Sequence, residues 1–200
     1  MAQKILGNLS QGLIFVLSAP AGTGKTTLVR MLTEEFDCIV ESISCTTRPH
    51  RHNENHGKDY HFLSKETFEE MIQKGDFLEY AQVFGYYYGT SRHFVLQQQK
   101  MGKHVVLVID TQGAMKLKAQ SLPAIFIFIS PPSVAELRQR LIKRKTENLE
   151  TIEERLDWAE HELSMVSHYN YHIVNDNLQN AYAILRSILI AEEHRVGDKL

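Results

Sequence analysis

Three stretches of the chain, residues 13–18, 104–109 and 124–129, are almost wholly apolar and rich in β-branched side chains. Runs of this length without alternation suit central strands of a parallel sheet, covered by helices on both faces. A mixed stretch at 38–44 and a short one at 171–174 read as further strands. Between them lie segments that read as helices: 24–36, 64–74, 91–101, 111–120, 134–144, 150–167 and 178–195. In 64–74, Phe68, Met71 and Ile72 share one helical face, Ser64 suits the N-cap and Gly75 the stop. Apolar strands alternating with helices predict an α/β fold, a parallel sheet flanked by helices.

That rhythm breaks between about residues 48 and 89. Pro49 forces an extended backbone before it, 51–58 is a polar loop, and 59–63 and 77–84 read as strands. An aromatic turn is expected at 85–89. This segment is expected to be an inserted, mostly β subdomain.

Composition narrows the class. A hydrophobic fraction of 43% with 23% charged residues is ordinary for a globular protein, and 200 residues fit one domain. The net charge of −2 gives no bulk electrostatic reason to bind nucleic acid or an anionic membrane. Two cysteines, Cys38 and Cys45, are too few for a disulfide framework and suggest a reducing compartment. His50, His52, His56 and His61 crowd one polar segment, which reads as a solvated loop rather than a metal site. No stretch approaches ~20 apolar residues and no apolar leader stands at the N-terminus, so a cytoplasmic protein is expected.

The chemistry concentrates in Ala19, Pro20, Ala21, Gly22, Thr23, Gly24, Lys25, Thr26 and Thr27, set between the first strand and the first helix. Strand, glycine-containing loop, Gly-Lys-Thr and helix make a phosphate-binding P-loop. Gly22 and Gly24 let successive N–H groups converge on an anion, and the helix start adds its positive dipole end. Lys25 supplies a flexible charge for the β- and γ-phosphates, and Thr26 a hydroxyl for Mg²⁺. The loop departs from its pattern once, with Ala19 where the first glycine is usual.

A second phosphate would suit Arg48 and Arg51, whose guanidinium groups bind phosphate bidentately, with the hydroxyls of Ser44, Tyr60 and Tyr88 beside them. Glu79 would accept from the N1–H and amino group of a guanine. Adenine lacks the N1–H, so such a carboxylate would discriminate.

Thr46-Thr47-Arg48, Arg51, Glu54, Gly57, Tyr60, Phe62 and Leu63 stand at the spacing T-T-R-x-x-R-x-x-E-x-x-G-x-x-Y-x-F-L, which resembles the signature of the guanylate kinase family. The resemblance continues through Phe77-Leu78-Glu79-Tyr80-Ala81, Tyr88-Gly89-Thr90, Ile109-Asp110-Thr111-Gln112-Gly113 and Val174-Asn175-Asp176, and covers about residues 13–190. It implies a nucleoside monophosphate kinase in three parts. These are a P-loop core (13–44, 90–136 and 167–200), a GMP-binding subdomain (45–89) and a lid (137–166). By position, Ser44, Arg48, Arg51, Tyr60 and Tyr88 would hold the GMP phosphate, and Glu79, Thr90 and Asp110 would read the guanine. Residues 19–27 and Asn175 would hold ATP, with Thr26 on Mg²⁺. Lys25, Arg48, Arg140, Arg144 and Arg155 would carry catalysis by neutralising phosphate charge. The implied partners are ATP and GMP or dGMP, with no nucleic acid and no membrane.

Two further departures stand out. Val108 occupies a place where many members of the family carry an acid, and Lys145 one where they carry glycine. A non-catalytic binding module would be expected to have a degraded P-loop, whereas Lys25 and Thr26 are present. A kinase for a phosphorylated sugar would have no use for Glu79 and Thr90.

Overall fold

The computed structural model describes residues 3–52, 54–143 and 149–196; Arg144 and Lys145 lie outside them. Five parallel strands form the larger sheet, in the order β2 (Ile39–Ser42), β7 (His104–Val108), β1 (Ile14–Ser18), β8 (Ile125–Ser130) and β9 (Tyr171–Val174). Every residue of β1 and β8 is buried, as their unbroken apolar runs require. Alternate side chains of β1 enter different cores. Phe15 and Leu17 pack with Leu28 and Leu32 of α1 (Lys25–Glu35) and with Leu185 and Leu189 of α7 (Leu178–Glu193). Ile14 and Val16 pack with Val95 of α3 (Arg92–Lys100) and with Ala114 and Leu117 of α4 (Thr111–Ala119). Each such buried side chain contributes roughly 1.5–3 kcal/mol, so these two layers hold the sheet in place.

The smaller sheet has the order β4 (His61–Phe62), β3 (Cys45–Thr46), β6 (Tyr86–Ser91) and β5 (Phe77–Val83). Its core is aromatic. Phe68 of α2 (Lys65–Lys74) stacks on Phe77 at 4.3 Å and on Tyr87 at 5.2 Å between ring centroids, with Cys45 alongside. Ser64 caps α2 by accepting from the Thr67 N–H, and Gly75 ends it in a left-handed turn. Gly89 has to be glycine here, since a Cβ would sit 2.8 Å from the Phe77 ring. Burial pushes the Cys45 thiol up to about 11, which suits a packing residue better than a nucleophile.

The strand expected at 38–44 is present as Ile39–Ser42, after which the chain leaves the larger sheet and joins the smaller one at Cys45. One local expectation is corrected. The aromatic run 85–89 is not a turn. Tyr86, Tyr87 and Tyr88 belong to β6, paired with β5 across a two-residue turn at Phe84 and Gly85. Aromatic residues favour strands, and the glycine needed for the turn is the single one at 85.

A third unit is helical. α5 (Val134–Lys143) and α6 (Leu149–Ser164) share a small core of Leu137, Leu141, Ile152, Leu156 and Ala159. Among the described residues, no helix is long and apolar enough to cross a membrane.

At the N-terminal edge of the larger sheet, a buried carboxylate ties three chain segments together. Glu193 accepts from the N–H of Gly7 (2.6 Å) and Asn8 (2.9 Å), and from His104 Nε2–H (2.6 Å). His104 Nδ1 accepts from the Leu13 N–H at 3.1 Å, which fixes the neutral tautomer. Burial pushes Glu193 up, but these hydrogen bonds outweigh it and hold the carboxyl below its usual range. A carboxyl lowered on folding contributes stability above its unfolded pKa that is lost as pH falls through the folded value. Glu193→Gln is therefore expected to cost about 1–3 kcal/mol at pH 7. In thermal melts the gap from the parent protein should narrow below pH ~4.5, and kinetic constants should stay unchanged, because the site lies at the other edge of the sheet.

Candidate active site

The C-terminal ends of β1 and β7 emerge side by side, since Leu17 pairs with Val108. An open α/β sheet binds its ligands at this edge. The loop after β1 carries Gly22 and Gly24 at φ +92° and +98°, angles that favour glycine. A Cβ on Gly24 would also lie 2.7 Å from Asn175 Nδ2. Ala19 is buried and its φ is not positive, so the position does not need glycine, and the departure is accommodated. The loop is braced from within. Thr23 Oγ1 donates to the Pro20 carbonyl at 2.5 Å, and Asn175 Nδ2 donates to the Thr23 carbonyl at 2.7 Å. Lys25 Nζ donates to the carbonyls of Ala19 and Pro20, while Thr26 is exposed at the helix start.

An open cleft of about 270 Å³ lies between this loop, the smaller sheet and α6. It brings together Ala19, Ala21, Lys25, Thr26, Ser44, Arg48, Arg51, Tyr60, Glu79, Tyr88, Asp110 and Arg155, twelve of the positions singled out above. Val108 lines the same wall, with no acid in its place. At one end, Arg48 Nη2 donates to both oxygens of Glu54 (2.7 and 2.9 Å), and its guanidinium lies 5.4 Å from the centre of the Tyr60 ring. The Arg51 N–H donates to the same Glu54 carboxylate at 2.8 Å. Glu54 thus positions both arginine-bearing residues.

At the other end are two buried acids. Glu79 Oε1 accepts from Thr90 Oγ1 at 2.6 Å. Glu79 and Thr90 meet because β5 and β6 pair them directly. Burial pushes the Glu79 carboxyl up to about 7, against the pull of the Thr90 hydrogen bond and with the Asp110 charge adding to it. Asp110 caps α4, with Oδ1 accepting from the Gly113 N–H at 2.8 Å. Its Oδ2 is buried without a partner, and burial also raises its pKa. Gly113 admits the pair, since a Cβ there would lie 2.6 Å from Glu79 Oε2.

Of the other positions described, Pro20, Gly22, Thr23, Gly24 and Thr27 belong to the loop itself and Thr90 backs Glu79, while Arg140 and Asn175 sit apart from the cleft. Arg140 donates from Nη2 to the Asn175 carbonyl at 3.0 Å and pairs with Glu136, so Asn175 and Arg140 form a chain behind the P-loop instead of lining the cleft. Arg144 lies outside the described residues. Sequence reasoning missed Glu54, Phe84, Trp158 and Glu162 as cleft residues. Trp158 and Glu162 follow Arg155 at i+3 and i+7, so helical periodicity placed them on one face with it. Glu162 is buried, and burial raises its carboxyl while Lys25 and Arg155 draw it back.

A family model described as guanylate kinase matches residues 11–192. The chain belongs to the guanylate kinase family. It is 55% identical to guanylate kinase of Protochlamydia amoebophila (strain UWE25), over 97% of this chain and 98% of that one. With guanylate kinase of Chlamydia felis (strain Fe/C-56) it shares 49% identity over 91% of this chain and 89% of that one. The crystal structure of guanylate kinase from Anaplasma phagocytophilum superposes with a TM-score of 0.77 at 36% identity, covering 93% of this chain and 88% of that one. As a guanylate kinase family member the protein is a nucleotide-binding kinase with the expected α/β fold.

Proposed function

We propose that the protein transfers the γ-phosphoryl group of ATP to GMP or dGMP, giving ADP and GDP. The observation that carries this reading is the buried Glu79, backed by Thr90, with the unpartnered Asp110 Oδ2 beside it, both acids lining the cleft that also holds Lys25. Guanine presents N1–H and amino donors to such acceptors, and an acid left without them stays buried at a cost. Ser44, Arg48, Arg51, Tyr60 and Tyr88 would hold the acceptor phosphate. The loop at 19–27, braced by Asn175, would hold the donor.

The acceptor phosphate is already an oxyanion, so the protein needs no strong general base. Its residues act by orientation and charge: Lys25, Arg48 and Arg155 offset the repulsion between two polyanions brought in line. Arg140 would act through Asn175, by bracing the loop. Among the described residues, no group of three His, Cys, Asp or Glu is placed to hold a metal ion. The exposed Thr26 hydroxyl fits a Mg²⁺ ion that keeps water and nucleotide oxygens as its other ligands. When bound there, the ion would supply further charge neutralisation.

The three-part division into core, GMP-binding subdomain (45–89) and lid (137–166) belongs to the same proposal, with closure of the lid excluding water that would hydrolyse ATP. A cytoplasmic site of action is part of it as well. The test is a coupled ADP-release assay with ATP and Mg²⁺, comparing GMP, dGMP, AMP, CMP, UMP and no acceptor. Turnover is expected with GMP and dGMP at least ~10³-fold above the other nucleotides, as a site built around donors rejects ligands lacking them. Equal turnover with AMP would overturn the guanine reading, and no turnover with any acceptor would overturn the kinase reading.

A further inference from the structure

Phe84 stands in a place that local geometry disfavours. It is the first residue of the β5–β6 turn, at φ +48°, followed by Gly85 at φ +80°. Two central residues at positive φ are what an Asn-Gly pair adopts most readily, and a bulky aromatic residue is uncommon there. The ring is also half in solvent, at 51% exposure. Nothing in the turn itself explains a phenylalanine. Across the mouth of the cleft, however, the ring meets Trp158 of α6 edge to face, with centroids 6.1 Å apart at 61°. The Arg155 guanidinium lies over the same ring at 5.9 Å. Arg155 and Trp158 are one helical turn apart on the face of α6 that lines the cleft.

We propose that Phe84 and Trp158 form an aromatic clasp that positions Arg155 over the cleft and joins the tip of the smaller sheet to the helical unit. This rests on Arg155 acting on the phosphates, as proposed above. The two banks of the cleft have separate cores, so a contact between them controls how they close on each other. The Phe84 ring gives the flat guanidinium a face to rest on, which sets the plane in which its N–H groups lie. Trp158, on the same helix, meets that ring edge to face. Phe84 and Trp158 are positioning residues, acting through Arg155.

Phe84→Asn tests this without weakening the turn, since Asn-Gly is the preferred pair there. The melting temperature is expected to stay level or rise, while kcat falls about tenfold and the KM for GMP moves less than threefold. A tenfold loss equals about 1.4 kcal/mol of barrier, within the range of one aromatic pair with its cation. In an Arg155→Ala background, adding Phe84→Asn should change kcat by less than twofold, because the residue it positions is gone. Trp158→Phe should keep most of the turnover that Trp158→Ala loses. Trp158 is the single tryptophan of the chain, so its fluorescence reports the clasp directly. Adding GMP with ADP should shift its emission, and the shift should vanish in Phe84→Asn. Turnover of Phe84→Asn within twofold of the parent, or losses that multiply in the double variant, would overturn the clasp. A parent protein inactive on GMP would instead overturn the kinase reading, and the nucleotide-free emission of Trp158, expected to differ between the parent and Phe84→Asn, would still decide the clasp.

Discussion

Replacing Lys25 with alanine is expected to lower kcat by about 10²–10³-fold, with the fold intact. The Lys25 ammonium lies in the cleft, and its donors rest on the carbonyls of Ala19 and Pro20. Those bonds are local to the loop, which keeps its other braces, Thr23 to Pro20 and Asn175 to Thr23. The main loss would therefore be charge opposite the transferring phosphoryl group, where two polyanions would meet and, among the described residues, no other lysine lines the wall. Steady-state kinetics with GMP, alongside a thermal melt, would check this. Near-normal turnover with an unchanged melt would remove Lys25 from the reaction.

Glu79→Gln should separate stability from activity. Burial holds the Glu79 carboxyl near pH 7, well above its unfolded value. A carboxyl raised on folding favours the folded state at acid pH, and that contribution is lost as pH climbs from about 4.5 through 7. At pH 8 the empty protein thus carries an electrostatic cost on the order of 3 kcal/mol that a neutral glutamine does not. The variant is expected to melt higher than the parent at pH 8, with the difference fading near pH 5. Its kcat/KM for GMP should fall ~10²-fold or more, since an amide cannot accept from both guanine donors. ATP binding should be spared, as Glu79 lies at the proposed acceptor end, and GMP should lose part of its lead over AMP. In the parent protein the same titration predicts a GMP KM that rises as pH drops below about 7. Titration calorimetry with each nucleotide is the direct measurement, and equal loss of GMP and ATP affinity would refute the role.

Much of this was legible in the sequence because the chemistry is written in short, contiguous patterns. The strands at 13–18, 104–109 and 124–129 declare themselves by unbroken apolar runs, which only a doubly covered sheet tolerates. The P-loop follows from glycine placement and a single lysine. The smaller sheet was harder. Its β3 and β4 have two residues each, too short for any period to register. The hairpin was hidden because Gly85 and Gly89 looked like equivalent turn residues, whereas only Gly85 turns the chain and Gly89 makes room for two rings. Asn175 and Arg140 show the other limit. A motif marks a residue as part of a site, but not whether it faces the cleft or braces the loop behind it. Glu54 was visible as a signature position, yet its bidentate grip on Arg48 depends on a loop path that no local pattern encodes.

The separate cores also bear on how the molecule comes apart. The helical pair of α5 and α6 rests on five buried side chains of its own, and the smaller sheet on Cys45, Phe68 and Phe77. Neither cluster borrows a buried residue from the two layers around β1. Each can therefore lose order as a cooperative unit at a free energy well below that of the whole chain. Protection of backbone amides would then be graded across one polypeptide, deepest along β1 and β8 and shallowest over the cleft. A nucleotide spanning the cleft would tie the units into one, so that ligand is felt first as slower local opening and only then as a higher global melting point.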